Sequence, residues 1–386
     1  MSRQRISILG VTGSIGANTV DVVRTLGVEN FETVAVTGNA NIAGLAEAAV
    51  TLSAEIAVTA DPARLDDLRT ALEGTGIEAA AGQDALIEAA SRPIDWIMSA
   101  IVGAAGLRPT LAAVRQGATI ALANKECLVA AGEVFLAEIA KHKARLLPVD
   151  SEHNAIFQLA EHETAPIERL LLTASGGPFR TWSIEQMAAA SPKQAVAHPN
   201  WSMGARISID SASMFNKALE MIEASHLFQV RPDQIEVVVH PQSIIHSMIG
   251  LGDGSILAHL GPSDMRVAIG YALAWPKRPD LPVERLDFAK LAKLDFEAPD
   301  EVRFPALGLA REAMQAGGLT PCILNAAHEI ALDGFIAGQI GFLDMAGLVN
   351  DTITHMIAKN RSYTLEEVFE TDTEARRVAR GLIANR

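Results

Sequence analysis

The stretch "ISILGVTGSIGANTVDVV", residues 6–23, decides the fold of the N-terminal part of this chain. A short apolar run typical of a strand enters a glycine-rich turn, and a helical pattern of apolar residues follows. Gly10, Gly13 and Gly16 give the spacing G-x-x-G-x-x-G, with Thr12 where the common dinucleotide fingerprint has its middle glycine. Such a turn at the N-terminus of a helix can still hold a pyrophosphate group. We therefore predict a dinucleotide site here, with an ordinary strand–helix turn as the alternative.

The same alternation of short apolar runs and helical segments continues to about residue 150. The further strand-like runs are "ETVAVTG" (32–38), "EIAVTA" (55–60), "IDWIMSAI" (94–101), "ATIALAN" (118–124) and "RLLPVD" (145–150). This rhythm predicts βαβ units and a Rossmann-like parallel sheet over residues 1–150 of an α/β chain. Ligands of such sheets bind outside the carboxyl ends of the strands, where Gly13, Asn124 and Asp150 lie.

The pattern changes after residue 150. The runs "QIEVVVHPQ" (234–242), "SIIHSMIGL" (243–251) and "SILAHLG" (255–261) are separated by short breaks and predict an antiparallel sheet. We predict a central α+β catalytic domain with a mostly antiparallel sheet over 151–283. A proline-containing linker over 284–312 and a C-terminal α-helical bundle over 313–386 are expected to follow.

Composition excludes several classes of protein. A length of 386 residues exceeds one ordinary core, and a net charge of −14 argues against binding to nucleic acid or to anionic membrane surfaces. Two cysteines give neither a disulfide framework nor a zinc spacing. No apolar run reaches the ~18 residues of a membrane span, and the first residues show no signal peptide. We expect a cytoplasmic protein.

The end of the second predicted strand bears on which dinucleotide binds. An NAD site usually has an acidic residue there to bind the ribose 2′-hydroxyl. This chain has Asn39 and Asn41 and no carboxylate, which favours NADP.

Two carboxylates follow the sixth apolar run, in "RLLPVDSEHNAIFQ", residues 145–158. In an extended chain Asp150 and Glu152 would point to the same side, about 6–7 Å apart. Like charges placed in this way suggest a divalent cation. The alternative is a polar strand end with Ser151 or Asp150 as the N-cap of a helix.

The segment "IDSASMFNKALEMIEA", residues 209–224, supplies a third carboxylate. Asn216 and Glu220 are four residues apart and share one helix face, while Ser211 and Lys217 lie near the predicted helix start. Hydroxyl, amide and ammonium groups at a helix N-terminus predict a phosphate site. Glu220 could then share Mg²⁺ or Mn²⁺ with the two earlier acids. An amphipathic helix with a serine cap is the alternative.

Three further segments contain candidate residues. "ALANKECL" (121–128) places Lys125 and Glu126 after a strand, and "LLTASGGPFR" (171–180) places Ser175 before two glycines. "AHPNWSMGARI" (197–207) combines His198, Trp201, Met203 and Gly204 in what we predict to be a lid. The alternative for Lys125 and Glu126 is a solvated ion pair, and the alternative for the Ser175 segment is a plain turn. For the third segment it is a loop whose Trp201 packs into the core.

Six of these motifs, in this order, give the chain its resemblance to a known family. "GVTGSIG", "LANKE", "VDSEHNAIFQ", "SGGPFR", "HPNWSMG" and "DSASMFNKALE" resemble those of 1-deoxy-D-xylulose 5-phosphate reductoisomerases. The resemblance implies a homodimer that uses NADPH and Mg²⁺ or Mn²⁺. It would rearrange and reduce the sugar phosphate 1-deoxy-D-xylulose 5-phosphate to 2-C-methyl-D-erythritol 4-phosphate.

The resemblance also implies a role for each matching residue. The implied metal ligands are Asp150, Glu152 and Glu220. Substrate would contact Lys125, Ser151, Glu152, Ser175, His198, Ser211, Asn216, Lys217 and Glu220, of which Lys125, Glu152 and His198 would be catalytic. Trp201 and Met203 would form the lid. The dinucleotide would contact Thr12, Gly13, Ser14, Ile15, Asn124, Glu126 and Gly204, beside Asn39 and Asn41.

Two other hypotheses remain at this point. One is a metal-dependent NADP dehydrogenase that acts on another sugar phosphate. The other is a non-catalytic dinucleotide sensor that keeps the fold. Product analysis separates the first from a reductoisomerase, because only the reductoisomerase yields a branched carbon skeleton.

Overall fold

The computed structural model describes residues 3–197, 204–356 and 361–385. It contains two compact units, and each includes more than one stretch of the chain. The parallel-sheet unit comprises Met1–Asn124, Phe135–Asn154 and Asp264–Glu284. The mixed-sheet unit comprises Lys125–Val134, Ala155–Ser263 and Arg285–Arg386. The four domain bounds drawn from the sequence stay a prediction.

The strands, in chain order, are β1 (Gln4–Leu9), β2 (Phe31–Gly38), β3 (Ile56–Thr59), β4 (Glu78–Ala81), β5 (Trp96–Ser99), β6 (Thr119–Leu122), β7 (Arg145–Pro148), β8 (Ile167–Ala174), β9 (Ile235–Val239), β10 (Ile245–Leu251) and β11 (Ile256–Leu260).

The α-helices are α1 (Ser14–Thr25), α2 (Ile42–Thr51), α3 (Leu65–Ala71), α4 (Gln83–Ser91), α5 (Leu107–Val114), α6 (Glu126–His142), α7 (Ser151–Ala160), α8 (Ile184–Ala188), α9 (Pro192–Ala195), α10 (Ala205–Ala212), α11 (Phe215–Phe228), α12 (Met265–Ala274), α13 (Phe288–Leu291), α14 (Ala306–Ala316), α15 (Thr320–Ile336), α16 (Asp344–His355) and α17 (Leu365–Ala384). Among the described residues, none of these helices has the length and apolar character needed to cross a membrane.

The parallel-sheet unit confirms the predicted Rossmann-like sheet. Its seven strands are all parallel, in the order β4-β3-β2-β1-β5-β6-β7. The strand order reverses between β1 and β5, and ligands of doubly wound sheets bind at such a switch point. The edge strand β4 was not predicted, because its sequence EAAA lacks the branched side chains that favour strands.

A later segment of the chain, Asp264–Glu284, also belongs to the parallel-sheet unit. The indole Nε1 of Trp96 on β5 donates to the carbonyl of Ala272 on α12, at 3.0 Å. Arg266 on α12 pairs with Asp21 on α1, at 3.0 Å. Sequence patterns did not predict that this later segment belongs to the parallel-sheet unit, because the contacts join residues far apart in the chain.

The sheet of the mixed-sheet unit is mostly antiparallel, as predicted. Its order is β11-β10-β8-β9, with β10 antiparallel to both neighbours and β9 parallel to β8. The pairing of β9 with β8 was not predicted. β10 is buried at every position, so it is a central strand, and the apolar β8 lies between it and β9.

One hydrophobic core runs through the mixed-sheet unit. It joins residues of β8 and β9 to residues of α10 and α11, and it continues into α14, α15 and α16. The C-terminal helices thus bury their apolar faces in the same core as the sheet.

Candidate functional site

Two positions in and after the turn that follows β1 fit only glycine, one because of its backbone conformation and one because of the space available. Gly10 has a φ of +85°, and a Cβ there would lie 2.6 Å from the carbonyl oxygen of Ala100. A Cβ on Gly16 would lie 2.3 Å from the carbonyl oxygen of Gly10. The backbone N–H of Gly10 donates to Oγ1 of Thr37 at 3.0 Å, and that of Val11 to the Thr37 carbonyl at 2.7 Å. The turn is therefore closely packed against the ends of β2 and β5.

The N-terminus of α1 directly follows this turn. In the part of the chain that the structure describes, no side chain caps it, and its first turn contains no acidic residue. The positive end of a helix without a carboxylate fits a pyrophosphate group. Thr12, Gly13, Ser14 and Ile15, four of the predicted dinucleotide contacts, are consecutive at this end and none is fully buried.

The two asparagines after β2 differ in their local roles. Asn41 is the N-cap of α2, and its Oδ1 accepts from the backbone N–H of Gly44 at 3.0 Å. Asn39 is exposed. The cap explains why an asparagine suits position 41 even without a bound ligand. The dinucleotide contacts predicted for Asn39 and Asn41 stay predictions.

Asn124, beyond the end of β6, is almost fully buried at 2% exposure. Its Nδ2 donates to the carbonyl oxygens of Ile101 and Gly103, the second at 2.9 Å. A Cβ on Gly106 would lie 2.8 Å from the same Nδ2. Asn124 thus holds the loop that follows β5, a role that sequence analysis missed.

The two carboxylates after β7 lie close together, within 4.8 Å, as predicted, but the extended backbone predicted for them is wrong. β7 ends at Pro148 and α7 begins at Ser151, so Asp150 and Glu152 do not lie two apart on one extended strand. The Asp150 carbonyl accepts the helical hydrogen bond of Asn154 N–H at 2.8 Å, and its Oδ1 accepts from Ser151 N–H at 3.1 Å. Asp150 therefore occupies the N-cap position, the alternative that the sequence left open. Both carboxylates lie at the positive end of α7.

The mixed-sheet unit contains a buried cluster of charges around Glu220. Its Oε1 lies 3.3 Å from Nζ of Lys125, and its Oε2 pairs with Nζ of Lys217. Asn216 accepts from Lys125 at 2.7 Å and donates to Glu220. Glu220, Lys217 and Lys125 are 0%, 3% and 7% exposed. The ammonium and amide groups of this cluster are hydrogen-bond donors of the kind that bind the oxygens of an anionic ligand.

Sequence analysis predicted part of this cluster. The shared face of Asn216 and Glu220 is confirmed by their hydrogen bond. The contact of Lys125 with both side chains was not predicted, because the two segments are over ninety residues apart in sequence.

The helix predicted to start near the serines is α11, and a separate helix, α10, precedes it. α10 ends at Ala212 and α11 begins at Phe215, and Met214 between them has a φ of +63°. Ser211 therefore lies in the last turn of α10. A Cβ on Gly177 would lie 2.7 Å from the carbonyl oxygen of Ser211, and the N–H of Gly177 donates to Oγ of Ser175 at 3.1 Å. The Ser175 loop thus packs against the end of α10.

The structure gives only the position of two further predicted site residues and does not describe three others. Glu126 begins α6 and is half-buried, and the exposed Gly204 is the N-cap of α10. His198, Trp201 and Met203 lie outside the described residues.

Family models match the chain along most of its length. The model of 1-deoxy-D-xylulose 5-phosphate reductoisomerase matches residues 6–132, and that of its C-terminal domain matches residues 146–228. A third model, the DXP reductoisomerase C-terminal domain, matches residues 260–378. A 1-deoxy-D-xylulose 5-phosphate reductoisomerase from Sinorhizobium fredii is 63% identical over 99% of this chain and 98% of its own length. The chain belongs to the 1-deoxy-D-xylulose 5-phosphate reductoisomerase family.

Solved structures of the reductoisomerase family share the fold. The reductoisomerase from Zymomonas mobilis in complex with NADPH is 50% identical, with a TM-score of 0.91 and 99% of each chain covered. A DOX-P reductoisomerase in complex with NADPH, fosmidomycin and magnesium is 42% identical, with a TM-score of 0.93. That comparison covers 99% of this chain and 98% of the other. The family predicted from the sequence motifs is therefore confirmed.

Proposed function

We propose that this chain rearranges and reduces 1-deoxy-D-xylulose 5-phosphate to 2-C-methyl-D-erythritol 4-phosphate, using NADPH and a divalent cation. The observation that carries the proposal is the buried Glu220 cluster with Lys125, Asn216 and Lys217, in a chain of this family. It places amide and ammonium groups suited to an anionic substrate beside a carboxylate suited to a metal.

The NADPH site is proposed at the turn after β1. The close-packed glycines and the uncapped N-terminus of α1 fit a pyrophosphate group. Bound NADPH would supply the hydride for the reduction. The proposed contacts are Thr12, Gly13, Ser14, Ile15, Asn39, Asn41, Asn124, Glu126 and Gly204. The relative from Zymomonas mobilis is described as a complex with NADPH.

Asp150, Glu152 and Glu220 are the proposed metal ligands. A donor set made only of carboxylate oxygens fits the hard cations Mg²⁺ and Mn²⁺, and one relative is described as a complex with magnesium. The cation would supply Lewis acidity at the substrate carbonyl.

The substrate phosphate is proposed to bind Ser175, Ser211, Asn216 and Lys217. Lys217 pairs with Glu220 in the structure, so its ammonium is already held at the start of α11. Lys125, Ser151, Glu152, His198 and Glu220 would contact the rest of the substrate. Among them Lys125 would hold charge that develops on a substrate oxygen, and Glu152 and His198 are the other proposed catalytic residues.

The proposal also includes a lid over the substrate, a homodimer and a cellular location. Trp201 and Met203 form a lid that excludes water from the reacting fragments. The chain forms a homodimer through its mixed sheet, whose edge strand β11 exposes Ile256 and Leu257 by 42% and 36%. It works in the cytoplasm, on a small sugar phosphate.

A direct spectrophotometric assay with product analysis tests the function. The protein is mixed with 1-deoxy-D-xylulose 5-phosphate, NADPH and Mg²⁺, NADPH absorbance is followed with and without chelator, and the product is examined by NMR. We expect chelator-sensitive oxidation of NADPH and a branched product. An unbranched product would instead indicate a dehydrogenase, and a chelator-insensitive rate would remove the metal from the mechanism.

Glu220→Gln tests the metal assignment. The amide keeps the size of the side chain but loses the charge, so we expect turnover to fall by about 100-fold or more. Glu236→Gln is the matched control, because Glu236 forms only a half-exposed ion pair with Arg169 on the same unit. Turnover of Glu220→Gln equal to that of the control would contradict the assignment.

A further inference from the structure

The imidazole of His328 is buried between helices that contain proposed phosphate-binding residues. His328 lies on α15 and is 2% exposed. Its Nε2 lies 2.8 Å from Oδ1 of Asp210 on α10. The two atoms are within ion-pair distance but do not have hydrogen-bond geometry, so the contact is a close polar packing contact. The ring also stacks on Phe215, the first residue of α11, with centroids 4.1 Å apart and planes at 19°.

These two contacts lie on opposite sides of the break between α10 and α11. Asp210 directly precedes Ser211, and Phe215 directly precedes Asn216. Met214 between them has a φ of +63°, a conformation that non-glycine residues keep only where their surroundings hold it. One imidazole thus links the last turn of α10 to the first turn of α11.

An ion pair also joins α10 to α15, one helical turn away. Arg206 pairs with Asp333, and both side chains are largely exposed, by 40% and 57%. Arg206 lies in the first turn of α10, so the pair links the two helices away from the break at the end of α10. It provides a matched control for His328.

We propose that His328 is a positioning residue for the phosphate group of the substrate. By contacting Asp210 and Phe215 together, it sets the separation between Ser211 on α10 and the pair Asn216 and Lys217 on α11. The inference rests on the proposed function, which assigns the phosphate to these side chains. Without the contact, both helix ends lose their common support and the three phosphate-binding side chains lose their alignment.

Two substitutions separate the polar contact from the stacking. His328→Phe keeps a ring on Phe215 and removes the polar ring nitrogen beside Asp210. His328→Gln keeps a polar nitrogen at about the reach of Nε2. The readouts are the KM for 1-deoxy-D-xylulose 5-phosphate, the Ki of inorganic phosphate as a competitor, and the Kd of NADPH by fluorescence.

We expect His328→Phe to raise the KM and the phosphate Ki by about tenfold or more, with the NADPH Kd unchanged. His328→Gln should stay within about threefold of the wild type, and Arg206→Met should match it. An unchanged KM and Ki in His328→Phe would overturn the inference. So would an equal loss of NADPH affinity, which indicates a general structural role.

Two further variants keep the test decisive. If His328→Phe does not fold, Asp210→Asn, which keeps the side-chain size, is judged by the same criteria. Lys217→Gln tests the phosphate assignment itself, because Lys217 is a proposed phosphate ligand. If Lys217→Gln leaves KM and Ki unchanged, the assignment fails and the inference with it. If Lys217→Gln raises both while His328→Phe does not, only the role of His328 fails.

Discussion

At the scale of single residues, Gly16 shows how tightly the turn after β1 is packed. A Cβ there would lie 2.3 Å from the Gly10 carbonyl oxygen and 2.5 Å from Cα of Val11. Both atoms belong to the backbone, so an added methyl group must open the turn. We expect Gly16→Ala to weaken NADPH binding by about tenfold or more and to lower the free energy of unfolding by about 1–3 kcal/mol. Fluorescence titration and urea unfolding measure the two effects.

Gly381→Ala is the control for this prediction. Gly381 lies inside α17 with no heavy atom within 4 Å of an added Cβ. Alanine is the better helix former, so we expect a gain of about 0.5–1 kcal/mol and unchanged NADPH binding. If Gly16→Ala binds NADPH as the wild type does, the phosphates of the dinucleotide do not lie at this turn.

Tyr363 gives a prediction about pH. Burial, with a smaller effect from the charge of Glu133, raises the pKa of Tyr363 from 10.0 to about 12. The unfolded chain loses this proton at lower pH than the folded chain does. Its contribution to stability is therefore complete below pH 10 and is lost as the pH rises toward 12. Tyr363→Phe should make the free energy of unfolding fall less steeply across this range. Equal slopes for the variant and the wild type would contradict the raised pKa.

At the scale of elements, the end of α11 contains a removable strain. Its C-cap Gln229 is exposed and has a φ of +52°, the left-handed conformation that glycine adopts without a Cβ clash. We expect Gln229→Gly to raise the free energy of unfolding by about 1 kcal/mol, measured by urea unfolding. Ala337→Gly, at the right-handed C-cap of α15, is the control and should not stabilise the chain. A loss of stability in Gln229→Gly would show that its side chain has contacts that outweigh the strain.

The elements that sequence patterns predicted are those with a strong local signal. β1, β2 and β5 are apolar runs next to turns, and their parallel arrangement follows from the helices between them. β4 and the partnership of β8 with β9 have no such signal, since alanine is a poor strand former and pairing depends on distant contacts. The break at Met214 was missed because no glycine or proline marks it.

In the candidate site, too, the contacts that were predicted are local in sequence and those that were missed join distant segments. The spacing of Asn216 and Glu220 on one helix predicts their contact, because residues four apart are neighbours on a helix surface. The spacing of Asp150 and Glu152 predicted that their carboxylates lie close together, but the extended backbone assumed for them is absent, because α7 begins at Ser151. Motifs selected the candidate site residues, but the partners of Lys125 come from tertiary contacts that no local pattern indicates.

At the scale of the whole molecule, the core of the mixed-sheet unit bears on the domain boundaries. A separate helical domain from residue 313, as predicted, would unfold independently of the sheet. In the structure Leu324 on α15 lies in the same core as Leu172 on β8, both with 0% exposure. A cavity in α15 should therefore weaken the sheet as well as the helices.

Leu324→Ala tests this coupling. Truncating a buried leucine should lower the free energy of unfolding by about 2–5 kcal/mol. Because the core is shared, hydrogen exchange followed by mass spectrometry should show faster opening of β8 and β10 together with α15 and α16. Ile336→Ala, at the exposed end of the same helix, should change stability by no more than about 0.5 kcal/mol. If exchange accelerates in the helices while β8 and β10 keep wild-type protection, the C-terminal helices are an independent domain and the predicted boundary near residue 313 holds.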